Sequence, residues 1–319
     1  AAELDAWDRA WSLLRRPPAW MPLRPVYTPA GGATIRRSGD RLLYQAAGRA
    51  VTDLTDPATS SDRDVWDRRD AAGASPEELV PLWDVEDAAI EAQRRAAAPA
   101  LQRWGGRYLL HASLGAPYWG CYSRLGFAGL METMRTDRGL LGAMIERITH
   151  NAVQQVRLIA GSGARCLFIE ECLSSSDLIS EDDYLRFSYP AAERVLSAAR
   201  EAGLRTVYYY CGGIEGRLGH LARLPADALA FEESKKGFAV DLARVREAVG
   251  PERPLLGNLD ATLVRDLEGG GIARVVRGQF EAAGPLLATS CGSPLTLDTP
   301  PEKLDALVAA TEALGAGPG

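Results

Sequence analysis

The sequence contains no apolar run that approaches the roughly 20 residues a helix needs to cross a bilayer. Basic residues do not predominate either, since 36 Lys and Arg stand against 42 Asp and Glu, for a net charge of -6. Nucleic-acid-binding proteins usually carry a basic surface, so we expect no nucleic-acid partner. The first residues, Ala-Ala-Glu-Leu-Asp-Ala-Trp, lack the pattern of a signal peptide, and we expect a cytoplasmic protein with no membrane partner.

Cysteines are few and widely spaced. There are five, an odd number, and none belongs to a Cys-x-x-Cys pair, which argues against a disulfide framework and against a structural zinc finger. A free cysteine is most often a small buried side chain, and we interpret Cys166, inside an apolar run, in this way. Cys211 and Cys291 differ, because each ends a predicted strand and is followed by glycine.

Short apolar segments alternate with helical segments from residue 107 to residue 314. The apolar segments are continuous, as expected for a parallel sheet that is covered on both faces. No glycine-rich dinucleotide-binding motif follows any predicted strand, which disfavours an open nucleotide-binding sheet. The sequence therefore predicts an α/β fold, a (β/α)8 TIM barrel with an irregular N-terminal helical extension.

We expect the whole chain, residues 1–319, to form a single barrel domain. Residues 1–105 are expected to form N-terminal helices and a cover, and residues 106–319 the regular β/α units. The N-terminal part is predicted to contain a helix over residues 2–16 and short strands over 41–45 and 50–54. A long helix capped by Ser75 is predicted to run to about residue 104, with a break at Pro81.

Polar side chains follow the later predicted strands directly. Because the carboxyl ends of parallel strands meet at one rim of a barrel, we expect these side chains to converge there. They are Glu170, Glu171, Cys172, Cys211, Glu232, Glu233, Asn258, Asp260 and Cys291. Crowded carboxylates repel one another unless a cation, a basic partner or raised pKa values relieve the repulsion. Two thiolates with nitrogen or oxygen ligands suit zinc, and the alternative is two core cysteines beside solvated acidic loops.

Several segments carry a resemblance to a known family. They are Gly115-Ala-Pro-Tyr, Tyr209-Tyr-Cys-Gly, Gly257-Asn-Leu-Asp and Ser290-Cys-Gly-Ser-Pro. With them, residues 107–314 resemble the uroporphyrinogen decarboxylase superfamily, which also contains zinc- and corrinoid-linked methyltransferases and has a (β/α)8 barrel fold. The decarboxylases have histidine where Cys291 stands, so the resemblance is to the methyltransferase branch.

The resemblance implies a zinc ion and names its ligands. Tyr209-Tyr-Cys is similar to the His-x-Cys motif of the methyltransferases, so Cys211 and Cys291 correspond to the two cysteine ligands. Glu233, or its neighbour Glu232, resembles the glutamate ligand of a related zinc barrel. We therefore predict a metal site formed by Cys211, Cys291, Glu233 and Tyr209.

One position departs from the family motif, because Tyr209 replaces the histidine. A neutral phenol is a poor zinc ligand. Three alternatives stay open: a carboxylate such as Glu170 or Glu171 completes the site, Tyr209 binds as phenolate, or zinc is absent. His111 and His220 are further candidates to replace the missing ligand.

Other residues near the strand ends are candidates for catalysis and substrate binding. We predict catalytic roles for Glu170, Glu171 and Asp260. Aromatic side chains after the strand at 107–113 form either core packing or a pocket for a methylated group. The predicted substrate-binding set is Tyr118, Trp119, Tyr122, Asn258 and Glu232.

The expected function is that of a zinc-dependent methyltransferase. It would move a methyl group between a small methylated substrate and a corrinoid or thiol acceptor. The sequence has no Asp-x-His-x-x-Gly cobalamin motif, so a corrinoid (cobalamin) would come on a separate protein, a partner of this chain. A decarboxylase-like lyase and a non-catalytic, ligand-binding member of the family are the alternatives.

Overall fold

A computed structural model gives the fold. The structure describes residues 20–22, 34–39, 41–45, 52–53, 73–235, 237–296 and 298–315. The helix predicted over residues 2–16 lies outside these ranges. None of the helices within them is long and apolar enough to cross a membrane.

A parallel sheet organises the molecule. Its strands are β1 (Trp20–Pro22), β5 (Leu109–Gly115), β6 (Cys166–Glu171), β7 (Arg205–Tyr210), β8 (Ala228–Phe231), β9 (Leu255–Leu256) and β10 (Leu287–Ala288). They pair in the order β1-β5-β6-β7-β8-β9-β10, each parallel to its neighbour. Sequential parallel order with intervening helices is the arrangement of a TIM barrel, and the predicted α/β fold class is confirmed. No pairing joins β10 to β1 within the described ranges.

Helices cover the outer face of this sheet. They are α1 (Pro76–Leu79), α2 (Asp87–Trp104), α3 (Pro117–Thr136), α4 (Arg138–Gly161), α5 (Glu181–Asp183), α6 (Tyr189–Glu201), α7 (Leu218–Leu221), α8 (Leu242–Val249), α9 (Ala261–Asp266), α10 (Gly269–Ala283) and α11 (Pro301–Gly315). A π-helical turn, Tyr184–Ser188, joins α5 to α6. The helical segment predicted from Ser75 to about residue 104 is interrupted around Pro81, as predicted, and forms α1 and α2. Ser75 caps α1 and forms a capping box with Glu78.

Three strands stand apart from the barrel sheet. β2 (Thr34–Ser38), β3 (Arg41–Gln45) and β4 (Thr52–Asp53) form a small antiparallel sheet. The prediction for 41–45 is confirmed, and that for 50–54 is confirmed only at its centre. β2 could not be predicted from the sequence, because the consecutive charged residues Arg36 and Arg37 give no alternation of apolar and polar residues.

Alternation along each strand separates an inner from an outer face. On the inner side, Cys166 and Val207 pack with Ala228, Ala230 and the half-buried Phe168, Tyr209 and Leu256. The intervening residues, such as Leu167, Ile169 and Tyr208, belong to the large core beneath the helices. We call the inner side the lumen, and the end of it at Cys172 and Cys211 the rim. The face on which a residue lies therefore decides whether it can meet a ligand in the lumen.

Candidate functional site

Glu170 and Glu171 end β6 on opposite faces. Glu170 follows Cys166 and Phe168 on the lumen side and is half-buried, and burial raises the pKa of its carboxyl. Glu171 has no exposed surface; its carboxylate accepts hydrogen bonds from the Leu173 amide (3.0 Å) and the Ser188 hydroxyl (3.3 Å). Burial raises the pKa of Glu171 to about 7. Glu171 is thus sealed under the helices and anchors this end of β6, and the catalytic role predicted for it stays a prediction.

Two thiols meet at the rim. The Sγ atoms of Cys172 and Cys211 lie 3.0 Å apart, and both residues are half-buried free cysteines. β6 and β7 are in-register neighbours, and the Cys211 amide donates to the Glu171 carbonyl (2.9 Å), so the two cysteines stand side by side. The hydrogen bond between the thiols, with burial, raises the pKa of Cys172. The sequence predicts Cys172 at the rim but assigns it no role. The signal for its pairing with Cys211 is that each cysteine directly follows one of two neighbouring strands.

Cys291 stands beside acidic residues. It is half-buried and pairs through its backbone with Leu259, after β9. Burial and the charges of Glu233 and Asp260 raise the pKa of Cys291 to about 11. The next residue packs on Glu233 so closely that a Cβ at Gly292 would lie 2.2 Å from the Glu233 amide nitrogen, which only glycine avoids.

A lysine that the sequence analysis missed neutralises the acidic pair after β8. The Lys235 ammonium lies 2.8 Å from Glu232 Oε1 and 2.6 Å from Glu233 Oε1, and it also contacts the Ser293 hydroxyl. Burial lowers the pKa of Lys235, but its hydrogen bonds to the two glutamates outweigh burial and raise the pKa overall. The Gly212 amide donates to the other oxygen of Glu232 (2.8 Å). A basic partner therefore relieves this carboxylate repulsion.

Tyr209 is held as a neutral phenol. Its hydroxyl donates to the Gly292 carbonyl, and burial together with the neighbouring Cys211 raises its pKa. The ring lies on the lumen wall, 5.7 Å from that of Phe168. Binding of zinc by Tyr209 as phenolate would require the hydroxyl to give up this hydrogen bond, and that alternative stays a prediction.

Neither candidate histidine reaches the rim. His111 pairs in register with Cys166, so it lies six residues, about 20 Å along the strand direction, below Cys172. Burial lowers its pKa to about 4. His220 lies on α7, where its ring nitrogens contact Glu181 (2.9 Å) and Arg223 (2.7 Å).

In the part of the chain that the structure describes, the predicted zinc ligands do not come together in one cluster. Glu233 Oε2 is buried and has no hydrogen-bond partner among the described residues, and Cys291 is its thiol neighbour. However, nowhere in the described ranges do three or more His, Cys, Asp or Glu side chains come close enough together to hold a metal ion. The described residues therefore do not fit a resident zinc ion, and the set of Cys211, Cys291, Glu233 and Tyr209 stays a prediction.

Two residues predicted to contact substrate make structural contacts. Tyr118 lies in the first turn of α3 and is fully buried, with its hydroxyl near Met134 Sδ (3.6 Å). The Asn258 amide donates to the carbonyls of Glu232 (3.3 Å) and Val240 (3.2 Å) and accepts from Gln279 (3.0 Å). These contacts engage both the nitrogen and the oxygen of the Asn258 amide, and the binding roles of Tyr118 and Asn258 stay predictions.

Asp260 caps a helix. One of its carboxylate oxygens accepts from the amides of Thr262 (2.8 Å) and Leu263 (3.3 Å) at the start of α9. Trp119 and Tyr122 are half-buried on α3, and Trp119 packs on the backbone of Gly115. The catalytic role of Asp260 and the binding roles of Trp119, Tyr122 and Glu232 stay predictions.

A buried arginine connects the two rim loops. Arg217 is 1% exposed, donates to the carbonyls of Ser174 (3.3 Å) and Ile179 (2.7 Å), and lies 4.7 Å above the Tyr184 ring. It thereby ties the loop after β7 to the loop that contains Cys172. The sequence analysis missed Arg217, because no local pattern distinguishes it from a surface arginine.

Comparison with known proteins gives consistent matches. A sequence profile described as uroporphyrinogen decarboxylase (URO-D) matches residues 72–314. Over 213 residues the chain is 27% identical to the methylated-thiol–coenzyme M methyltransferase of Methanosarcina mazei, and the match covers 66% of this chain and 54% of that protein. The chain thus spans about half the length of this curated relative. A solved structure of a methyltransferase from Methanosarcina mazei shares the fold, with a TM-score of 0.62 at 19% identity over 89% of this chain and 76% of the other.

Proposed function

Because the chain belongs to the uroporphyrinogen decarboxylase family, whose profile covers residues 72–314, we propose that it is a methyltransferase acting at the rim. The proposed reaction moves a methyl group between a small methylated thiol and a thiol or corrinoid acceptor. The proposed substrate class is that of the Methanosarcina mazei relative, a methylated-thiol–coenzyme M methyltransferase. A corrinoid would be carried by a separate partner protein.

The observation that carries the proposal is the arrangement of groups around the lumen. Cys172 and Cys211 place half-buried sulfur atoms at the rim, above a wall formed by Phe168 and Tyr209. Aromatic walls suit apolar, methyl-bearing groups. Glu170 is the carboxyl that shares this face.

Methyl transfer between sulfur atoms is a displacement. The acceptor sulfur forms a bond to the methyl carbon, and the departing sulfur keeps the electron pair of the bond that breaks. A proton must leave the acceptor thiol, and one must reach the departing thiolate. We assign this proton transfer to Glu170, because its carboxyl lies on the lumen face two residues before Cys172, and burial raises its pKa above the ordinary glutamate value.

Zinc and a corrinoid are the cofactors that the family resemblance implies. The described residues do not assemble a zinc site, so no step proposed here depends on the metal. A decarboxylase-like lyase is the weaker candidate, because a substrate with many carboxylates needs cationic partners. Lys235 at this rim is already paired with two glutamates.

The test is an assay of methyl transfer with purified protein. Small methylated thiols such as dimethyl sulfide are offered with a thiol acceptor or with free cob(I)alamin, with and without added zinc. Methylated acceptor is quantified by mass spectrometry and methylcobalamin by absorbance. We expect turnover by the wild type and a kcat lowered at least about 100-fold by Glu170→Gln. Glu193→Gln, a change to an outer-face residue, is the matched control and should keep wild-type kcat.

The result that would refute the proposal is equally definite. It is the absence of turnover with every donor and acceptor, in zinc-replete as well as zinc-free protein. Saturable binding of methylated thiols without turnover would then identify a non-catalytic member of the family.

A further inference from the structure

We propose that Cys172 and Cys211 are a reversible disulfide site at the rim, which a low-molecular-weight disulfide oxidises. This inference rests on the two thiols alone and is independent of the reaction that the lumen carries out. The predicted zinc site does not include Cys172, so the proposal gives this cysteine a role for the first time.

The sulfur atoms of Cys172 and Cys211 lie close to bonding distance. The two Sγ atoms lie 3.0 Å apart, and a disulfide bond is about 2.0 Å long, so the sulfur atoms must approach by about 1 Å. The two cysteines follow neighbouring parallel strands, which lie about 4.8 Å apart. This spacing falls within the Cα–Cα range of about 4.4–6.8 Å that disulfides require. The bond can therefore form without movement of the backbone.

Hydrogen bonds restrain the two loops that contain the thiols. The Ser176 amide donates to the Gly213 carbonyl (3.0 Å), and the Gly213 amide donates to Asp177 Oδ1 (2.8 Å). Arg217 adds its two hydrogen bonds to carbonyls of the first loop. These contacts hold the sulfur atoms together before oxidation, which gives the second thiol a high effective concentration.

The cysteines differ in their access to a small disulfide and in their neighbours. Cys121 and Cys166 are 0% and 1% exposed, so a small disulfide cannot reach them. Cys291 is half-buried like the pair, but its neighbours are the carboxyls of Glu233 and Asp260. A half-buried pair with a preformed contact between its sulfur atoms is thus expected to react as a unit, whereas Cys291 has no such thiol partner among the described residues.

The reaction is two successive thiol–disulfide exchanges. One protein thiol loses its proton and attacks a sulfur of R–S–S–R, and the departing R–S⁻ takes up a proton. The second protein thiol loses its proton and attacks the protein-bound sulfur of the mixed disulfide, so that a second R–SH leaves. In total the two cysteines lose two electrons and two protons, and the small disulfide becomes two R–SH.

The experiment uses the full chain, reduced, desalted and incubated with glutathione disulfide in zinc-free buffer. Remaining thiols are alkylated under denaturing conditions, and the links are identified by intact mass and peptide mapping. We expect the wild type to lose two of its five alkylatable thiols, to show a 172–211 link and to recover both thiols with dithiothreitol. Cys172→Ser and Cys211→Ser should give a single glutathione adduct with no internal link, and Cys291→Ser should form the same link as the wild type.

Circular dichroism of each variant shows that it is folded before oxidation. A link that contains Cys291, stable glutathione adducts on the wild-type pair without an internal link, or no reaction after prolonged incubation would each overturn the proposal. None of these outcomes depends on methyl transfer, so the two proposals fail separately.

Discussion

Replacing Lys235 with methionine should destabilise the protein by about 3 kcal/mol. The change removes the ammonium that contacts Glu232 and Glu233, whose side chains are 9% and 6% exposed. Breaking a fully buried ion pair costs about 3–5 kcal/mol, because the remaining charge is left without a partner. The Lys235 side chain is 28% exposed, so the lower end of this range of free energies applies.

Urea unfolding followed by circular dichroism measures the loss. Arg244→Met is the matched control, since it removes a cation from a pair with Glu215 that is exposed on the surface, and it should leave the unfolding midpoint close to that of the wild type. Adding Glu232→Gln and Glu233→Gln to the Lys235→Met variant should restore part of the lost stability, because no unpaired charge remains. A loss for Lys235→Met no larger than that of the control, or no rescue by the glutamines, would refute this account of the acidic pair.

Three further predictions concern single residues. Burial raises the pKa of Glu171 to about 7. The contribution of Glu171 to folding stability is therefore complete below the ordinary glutamate pKa and is lost as the pH rises through 7. Glu171→Gln should remove this pH dependence from urea unfolding midpoints measured between about pH 5 and pH 8. Asp260→Ala should cost about 1 kcal/mol in the same assay through the lost cap of α9, whereas Asp260→Asn should keep most of it. Gly292→Ala should lower the melting temperature, because its Cβ would collide with the Glu233 backbone; an unchanged melting temperature would contradict that contact.

The central strands could be predicted from the sequence because burial on both faces leaves a simple signal. Read from the sequence alone, the apolar segments 206–210 and 228–231 indicate two strands; the second has the bounds of β8, and the first is one residue shorter than β7. Each is a short run of apolar and aromatic residues that a parallel sheet requires. The small N-terminal sheet is antiparallel and partly charged, so its β2 gave no such signal.

The location of the candidate site could also be predicted, but not the assignment of its members. The positions after the strands identify the rim, since parallel strands end together. Sequence reasoning treated Glu170 and Glu171 alike, although strand alternation separates them. The contacts of Lys235 and Arg217 depend on how loops fold over one another, and no periodicity encodes that.

The opposite orientations of Glu170 and Glu171 make β6 intolerant of any change in length before them. Deleting or inserting one residue between Cys166 and Glu170 would exchange the two carboxyls, sending the proposed proton carrier under the helices and the buried anchor into the lumen. The same shift would carry Cys172 away from Cys211. Engineering of the lumen should therefore proceed by substitution in β6, and changes of length belong in the loops at the other end of the barrel.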